Sequence, residues 1–262
     1  MTSAQIAELS KYTACDLSDG LLKLKLPRAG FLADITLQTS STSSPIIAPI
    51  STVLFTRITS ASHTSALLDA PLSAAKSRKQ ATNLVDPSIM PLAPGAHFAD
   101  HIAPGSVLFI GSLEGYDRDL DFNALLGGLI ALRLSKVGVK GVVVDGRVRD
   151  LKELESTVEA QLEGDKTLAL QGVWARGRST VGAGGGHKCV GIGGKVEIDG
   201  VVIEEGDICF ASDDGVVVVP KGRLDDLLSI LPALVDADDK VRGDLVEGAG
   251  IAEAFARHRG KL

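Results

Sequence analysis

The sequence predicts one α/β domain over residues 1–262, because three structural patterns follow one another along the chain. A strand, a helix and a strand occupy the middle, short strands separated by glycine turns come next, and a long amphipathic helix lies near the end. Hydrophobic residues make up 45% of the chain and charged residues 23%, which is enough apolar material for a large core. No change in composition marks a linker between two domains.

The central pattern is a βαβ unit. Val107–Ile110 and Gly141–Val144 are short apolar runs next to glycines, and such runs are typical of buried strands. The predicted helix between them carries leucines at helical spacing, Leu125, Leu129 and Leu132. Gly138 is placed to end that helix. Strands joined in this way normally pair in parallel.

The remaining segments are assigned with the same rules. The first thirty residues have helical spacing, and the Ser/Ala/Pro-rich stretch Thr56–Asp100 predicts mainly surface connections. Val190–Pro220 alternates apolar runs with glycine turns, which predicts a meander of short antiparallel strands. The apolar stripe Leu224–Val235 predicts a helix that Pro232 kinks or splits.

Composition limits the class of function. A net charge of −6 argues against a nucleic-acid partner, and no 18-residue apolar run suited to a membrane span occurs. The N-terminus lacks the basic and apolar segments of a secretory signal. Cys15, Cys189 and Cys209 are odd in number and widely spaced, so they predict neither a disulfide framework nor a zinc site. We therefore expect a cytoplasmic protein whose function lies in local motifs.

The first candidate site is the start of the central helix. A helix capped at Asn123 would expose earlier amides, but the paired glycines favour a later start, with exposed N–H groups on Gly127, Gly128, Leu129 and Ile130. Such N–H groups bind anions, and glycine lets a ligand approach the backbone. The alternative, that the glycines only allow close packing of helix on sheet, is equally consistent with the sequence.

The second candidate is the charged segment Asp145–Asp150, directly after the predicted strand. The carboxyl ends of parallel strands share one edge with the starts of crossover helices, and open α/β sheets bind ligands there. An arginine can stabilise an enolate oxygen, and an aspartate can hold a hard divalent cation. Together with the helix start, Arg149 and Asp150 predict a small 2-oxo carboxylate as ligand. The alternative is an exposed turn whose charges are solvated or paired locally.

Other motifs are weaker. In Gly182–His187, the histidine stands where GxGxxG needs glycine and a strand follows, so we expect a flexible loop. Asp214–Gly215 is more typical of a hairpin turn than of a metal site. His97 and His101 are four residues apart but lack the glutamate of HExxH, so the sequence does not predict a histidine-ligated metal.

The stretch Gly127–Glu153 resembles the 4-hydroxy-4-methyl-2-oxoglutarate aldolase family, which also includes the bacterial regulators of ribonuclease E activity. The family signature is a glycine, twenty residues, Arg-Asp, two residues and an acid. Gly128, Arg149, Asp150 and Glu153 match that spacing. The resemblance extends more loosely over most of the chain, and it implies a layered β/β/α sandwich.

The resemblance also implies a role for each site residue. Backbone amides of residues 127–130 would hold the carboxylate of a pyruvyl group, Arg149 would contact its 2-oxo oxygen, and Asp150 would anchor Mg²⁺ or Mn²⁺. Glu153 and Asp145 would orient these groups. The implied reactions are aldol cleavage and oxaloacetate decarboxylation, both of which give pyruvate through its enolate. Small 2-oxo acids such as pyruvate and oxaloacetate are therefore the expected ligands.

The family usually assembles with sites between subunits, so we expect a homotrimer or hexamer. A neighbouring subunit would supply another acid, for which Asp238 and Asp239 are weak candidates. Because the ribonuclease regulators can share the Arg-Asp motif, a non-catalytic protein that binds a ribonuclease or another protein is the alternative function. A swivelling domain without its catalytic partner is a third interpretation, and the missing phospho-histidine motif disfavours it.

Overall fold

In the computed structural model, which describes residues 2–40, 44–58 and 87–259, helices cover a large mixed sheet. The helices are α1 (Ser3–Leu9), α2 (Ala14–Lys23), α3 (Gly128–Lys136), α4 (Leu151–Leu162), α5 (Leu224–Val246) and α6 (Ile251–His258). The strands are β1 (Thr36–Leu37), β2 (Ile46–Arg57), β3 (Met90–Pro91), β4 (Val107–Ser112), β5 (Ala124–Leu126), β6 (Gly141–Val148), β7 (Gly172–Arg178), β8 (His187–Ile192), β9 (Val196–Ile198), β10 (Val201–Ile203), β11 (Ile208–Ser212) and β12 (Gly215–Val219).

The main sheet has the strand order β1-β7-β6-β4-β2-β11-β12. Its centre is parallel, because β2 pairs with β4, β4 with β6, and β6 with β7 in the same direction. Val107 lies opposite Gly141 and Ile110 opposite Val144, which confirms the predicted parallel pairing within the βαβ unit. Antiparallel strands extend both edges.

Apolar residues fill both faces of the sheet, because side chains alternate along each strand. In β6, Val142 and Val144 pack in one core with Ala131 and Leu134 of α3 and with residues of α4. Val143 faces a second core, where the sheet packs against the β9–β10 hairpin and the outer strands. A third core lies between β11–β12 and the helices α1, α2 and α5. The α/β fold class is therefore confirmed, with strands layered on strands and helices outside.

Two boundaries of the central unit differ from the prediction. Strand β6 continues to Val148, so Asp145 lies inside the strand rather than after it. Leu125 belongs to the short strand β5, while Leu129 and Leu132 lie on the exposed side of α3. Helical spacing predicts that a segment is helical but not which of its faces is buried. In α3 the buried face is formed by Leu134 and smaller residues.

The last third contains the predicted short antiparallel strands, but they do not form one meander. β9 pairs with β10, and β11 pairs with β12 through the expected turn between Ser212 and Gly215. The second hairpin joins the main sheet through β2, so β10 and β11 are not neighbours. Helix α5 runs through Pro232 without being split. Residues 59–86 of the predicted surface connections lie outside the described residues.

No helix among the described residues combines the length and the apolar character needed to cross a bilayer.

Candidate active site

Arg149 and Asp150 join the carboxyl end of β6 to the start of α4. The N–H of Arg149 donates to the carbonyl oxygen of Leu126 at 3.0 Å, which ties this junction to β5. Asp150 is the N-terminal cap residue of α4 and has a left-handed backbone, with φ 59° and ψ 46°. Its side chain does not cap its own helix. The carboxylate is therefore free to turn towards α3.

The tip of α3 meets both side chains at this junction. The helix begins at Gly128 with Gly127 as its cap residue, which is the later start that the paired glycines predict. The N–H of Gly128 donates to Asp150 Oδ2 at 3.2 Å, and Arg149 Nε lies 3.3 Å from the same oxygen. A helix terminus, a guanidinium and a carboxylate are thus brought together at one point.

The two glycines are required by this close approach. A Cβ on Gly127 would lie 2.6 Å from Asp150 Oδ2, and a Cβ on Gly128 would lie 2.1 Å from Oε2 and 2.5 Å from Cβ of Glu153. The packing interpretation of the glycines is therefore correct in part. The groups they accommodate are the Arg-Asp junction and the first turn of α4 rather than the sheet.

The last two predicted site residues lie in different places. Glu153 borders the tip of α3 through its contact with Gly128. Asp145 is buried, and its carboxylate accepts a hydrogen bond from Arg176 at 2.5 Å. Burial raises the pKa of Asp145, against the opposing effect of the Arg176 charge. The structure brings Asp145 to Arg176 rather than to Arg149 or Asp150, and this corrects the expected orienting role.

A cleft of about 640 Å³ opens beside the junction. Its walls are formed by Phe122 and by residues 147–151 and 178–181. Phe122, Arg178 and the segment that follows β7 were not among the residues predicted from the sequence.

The glycine-rich loop after β7 closes one side of the cleft. A Cβ on Gly182 would lie 2.7 Å from Arg149 Nη1, so the loop backbone touches the guanidinium. Ala124 N–H donates to the Val181 carbonyl at 2.7 Å, and Asn123 Nδ2 donates to the Gly182 carbonyl at 3.0 Å. The segment predicted as a flexible loop is therefore anchored beside Arg149. Its run of glycines was the available signal, because glycine permits such contact.

The residues before β5 are held by a buried polar cluster. Asp121 accepts hydrogen bonds from Arg57 Nε at 2.7 Å and Nη2 at 2.5 Å, and His187 Nε2 lies 2.9 Å from the same carboxylate. Burial acts to raise the pKa of Asp121, but the hydrogen bonds to His187 and Arg57 outweigh it and lower the pKa to about 2. Asp121 is thus an ionised group that links the cleft rim to β2 and β8.

The donor atoms suit a hard divalent cation held largely by water and ligand oxygens. Asp150 offers carboxylate oxygens at the cleft, and the Glu153 side chain lies against Gly128 at the helix tip. Among the residues that the structure describes, no group of three or more His, Cys, Asp or Glu could hold a metal. One carboxylate with several waters is a normal arrangement for Mg²⁺. The residues present therefore fit such a cation.

A match to a protein-family model includes all residues of the candidate site. A model of the RraA-like family, described as Aldolase/RraA, matches residues 14–218, which include every group at the cleft. The chain belongs to the Aldolase/RraA family. This family includes both aldolases and regulators of ribonuclease E, so membership by itself leaves two classes of function.

Curated relatives match part of the chain. A Halalkalibacterium halodurans protein provisionally named 4-hydroxy-4-methyl-2-oxoglutarate aldolase is 31% identical over 144 residues, 53% of this chain and 58% of that protein. Protein DlpA of Legionella pneumophila is 25% identical over 160 residues, 61% of this chain but 23% of its own length. The chain therefore spans a quarter to three fifths of the length of these relatives.

Solved structures show the same Aldolase/RraA fold. An uncharacterized protein of Pseudomonas syringae pv. tomato has a TM-score of 0.68 at 18% identity, with 98% of this chain and 95% of that chain covered. RraAS2 of Streptomyces coelicolor, described as an unusual member of the RNase ES inhibitor RraA family, has a TM-score of 0.60 at 18% identity, with 95% and 98% covered. At this identity the likeness extends to the fold alone.

Proposed function

We propose that this chain is a divalent-metal-dependent carbon–carbon lyase. It cleaves substrates of the 4-hydroxy-4-methyl-2-oxoglutarate type to pyruvate and decarboxylates oxaloacetate through a pyruvate enolate. The observation that carries this proposal is the meeting of the α3 tip, Arg149 and Asp150 at the edge of one cleft. Each group suits a different part of a 2-oxo acid.

The substrate carboxylate binds at the start of α3, where first-turn N–H groups have no partner within the helix. The Gly128 N–H donates to Asp150 Oδ2 in this structure, so the incoming carboxylate competes with Asp150 for that donor. The Leu129 and Ile130 N–H groups belong to the same turn. Substrate binding therefore frees the Asp150 carboxylate for its second role, which is to hold the cation.

Arg149 donates hydrogen bonds to the 2-oxo oxygen. Negative charge grows on this oxygen as the carbon–carbon bond breaks, so the guanidinium stabilises the enolate more strongly than the ground state. The Gly182 backbone packs against Arg149 Nη1, and the Leu126 carbonyl accepts from the Arg149 N–H. The first contact limits the position of the guanidinium, and the second fixes the backbone that carries it.

Asp150 would hold Mg²⁺ or Mn²⁺, and Glu153 would help to order the surrounding waters. When bound, the cation supplies Lewis acidity that polarises the 2-oxo group. Assembly as a homotrimer or hexamer would bring a further acid from a neighbouring subunit. Within this chain, Asp238 pairs with Arg259 and Asp239 with Arg242 on the surface of α5, so either acid would have to exchange its partner.

Pyruvate release from oxaloacetate with Mg²⁺ tests the proposal. Arg149→Ala is expected to lower kcat/KM by about 100-fold or more, as removal of an oxyanion donor does. Asp150→Asn should lose the metal-dependent turnover, because it removes the carboxylate that would hold the cation. EDTA should abolish turnover and added Mg²⁺ should restore it. Arg257→Ala, which removes an exposed arginine of α6, is the matched control. Unchanged turnover of Asp150→Asn at saturating Mg²⁺ would remove Asp150 from the mechanism.

The alternative function is regulation of a ribonuclease, suggested by the family and by the description of the Streptomyces relative as an RNase ES inhibitor family member. That function predicts inhibition of ribonuclease activity by the wild-type chain and by Asp150→Asn equally, with no pyruvate formed. The two assays together therefore separate a catalyst from a regulator.

A further inference from the structure

We propose that Arg147 and Arg178 form a second anion-binding subsite in the cleft, which binds the distal carboxylate of a dicarboxylic 2-oxo acid. This inference rests on the proposed function, since it assumes that the α3 tip and Arg149 bind the 2-oxo acid end. It assigns substrate selection to residues outside the Arg149–Asp150 pair.

The charge of the cleft is the first observation. Its lining contains three arginines, Arg147, Arg149 and Arg178, and one carboxylate, that of Asp150. Oδ2 of Asp150 lies 3.3 Å from Arg149 Nε, so this carboxylate is paired with Arg149 rather than with the other two arginines. The cleft therefore carries excess positive charge on a protein whose net charge is −6.

The bonding of the outer arginines is the second observation. Arg147 donates to the carbonyl oxygens of Asp121 at 3.1 Å and Arg178 at 3.3 Å, and Arg178 Nε donates to Gln38 Oε1 at 3.0 Å. All of these acceptors are neutral. Within the described ranges, neither guanidinium forms an ion pair, whereas other arginines have carboxylate partners: Arg57, Arg133, Arg176, Arg223, Arg242, Arg257 and Arg259.

The strand register is the third observation. Arg147 lies opposite Gly177 of β7, and its guanidinium extends past that glycine to the Arg178 carbonyl. Arg178 ends the adjacent strand β7, opposite Val148. Neutral backbone acceptors hold Arg147 without neutralising it, and its planar guanidinium suits bidentate binding of a carboxylate. The Arg147 guanidinium is therefore preorganised for an anion next to the proposed 2-oxo acid site, and Arg178 lines the same cleft.

The size of the cleft agrees with a larger ligand. At about 640 Å³, it falls in the range of ordinary small-molecule sites and exceeds what a three-carbon acid fills. Pyruvate would use the α3 tip and Arg149 alone. A dicarboxylate would also reach Arg147 and Arg178. This second contact makes the cleft prefer dicarboxylic over monocarboxylic 2-oxo acids.

Binding measured by calorimetry with Mg²⁺ tests this subsite without requiring turnover. The probes are pyruvate, with one carboxylate, and 2-oxoglutarate, with two. The wild type should bind 2-oxoglutarate at least about 10-fold more tightly, the difference expected from one charge-assisted contact of ~1.4 kcal/mol. In Arg147→Gln and in Arg178→Gln, the ratio of the two dissociation constants should fall towards one.

Arg178→Gln is the more informative variant, because Arg178 is exposed and its replacement leaves the backbone contacts of Arg147 in place. Arg257→Gln, at an exposed arginine of α6, should keep the wild-type ratio. Equal affinity of the wild type for both acids, or an unchanged ratio in both cleft variants, overturns the subsite. Failure of the proposed function gives a different result. If the chain prefers 2-oxoglutarate but releases no pyruvate from oxaloacetate, the subsite is supported and the lyase activity is contradicted.

Discussion

At the scale of single residues, the backbone of Asp150 is the unusual feature of the site. A left-handed conformation at a residue other than glycine costs on the order of 1 kcal/mol or more, and such residues cluster at functional sites. Here φ is 59°, and the carboxylate reaches the Gly128 N–H instead of capping α4. The conformational cost at Asp150 thus accompanies the hydrogen bond from Gly128 that assembles the site.

The first prediction concerns Gly128. In Gly128→Ala the new Cβ would fall 2.5 Å from Cβ of Glu153, which cannot move without its backbone, so α3 and α4 must separate. We expect kcat/KM for oxaloacetate to fall at least about 10-fold, a modest loss for misplaced catalytic groups. Gly243→Ala on α5 is the control, since its Cβ would meet nothing within 4 Å. Full activity of Gly128→Ala would show that this approach is not required.

The second prediction concerns Asp121. Because its pKa is lowered from 3.8 to about 2 in the folded state, its ionised form stabilises the fold above pH 4, and this is lost as pH falls towards 2. Asp121→Asn should lower the free energy of unfolding by about 2 kcal/mol at pH 7. The deficit should shrink between pH 4 and pH 2.

Urea unfolding at several pH values measures this difference. The exposed Asp119 provides the control, since Asp119→Asn should change stability by less than about 0.5 kcal/mol. A deficit for Asp121→Asn that is independent of pH would mean that packing, rather than ionisation, gives Asp121 its effect.

At the scale of elements, the loop after β7 is tied to the start of β5 by hydrogen bonds. Val181 and Gly182 accept hydrogen bonds from Ala124 and Asn123, and Gly182 then rests on Arg149. Asn123 is buried, so this anchor is shielded from water. The loop therefore meets the Arg149 guanidinium at Nη1, while Gly127 of the helix tip meets it at Nε.

The third prediction compares two glycines of this loop. Gly182→Ala should displace Arg149, because the Cβ would lie 2.7 Å from Nη1, and should lower kcat/KM several-fold while the melting temperature changes little. Gly184→Ala should have no effect on kcat/KM, since its Cβ would meet nothing within 4 Å. Equal effects of the two substitutions would indicate that loop flexibility, and not the contact with Arg149, controls activity.

Helix α3 shows the limit of periodicity at this scale. The leucine spacing predicts a helix, and a helix is present, but Leu129 is 78% exposed while Ala131 and Leu134 are buried. Spacing reports which residues share a face. It does not report which face meets the sheet when apolar residues occupy both.

At the scale of the whole molecule, several apolar side chains are exposed on α3 and at the cleft. Leu129 and Leu132 lie on the outer side of α3, and Phe122 and Val181 are exposed at the cleft. A contiguous apolar patch marks an interaction surface. These residues are therefore the place to test the proposed homotrimer or hexamer.

The fourth prediction tests that assembly. Leu129→Glu should reduce the oligomer to smaller species in light scattering coupled to size exclusion, because an interface would bury the new charge. Leu22→Glu, at an exposed leucine in the other helical layer, is expected to leave the mass unchanged. A monomeric wild-type chain would contradict the assembly and the contribution of a neighbouring acid.

Local sequence patterns were enough to establish the α/β class, the parallel βαβ unit and the family, because these depend on short segments and on one motif of fixed spacing, Gly128 to Glu153. They also predicted that Arg149 and Asp150 would lie near the start of α3, since both follow from the edge that a βαβ unit shares. These features connect residues within one supersecondary unit.

Which distant residues complete the cleft depends on the tertiary structure. Asp145 pairs with Arg176 because β7 is the neighbour of β6. The same neighbourhood places Gly182 against Arg149 and Arg178 at the cleft. Strand order and strand length place these groups, and both depend on the packing of the whole sheet. Periodicity within one segment carries no information about either.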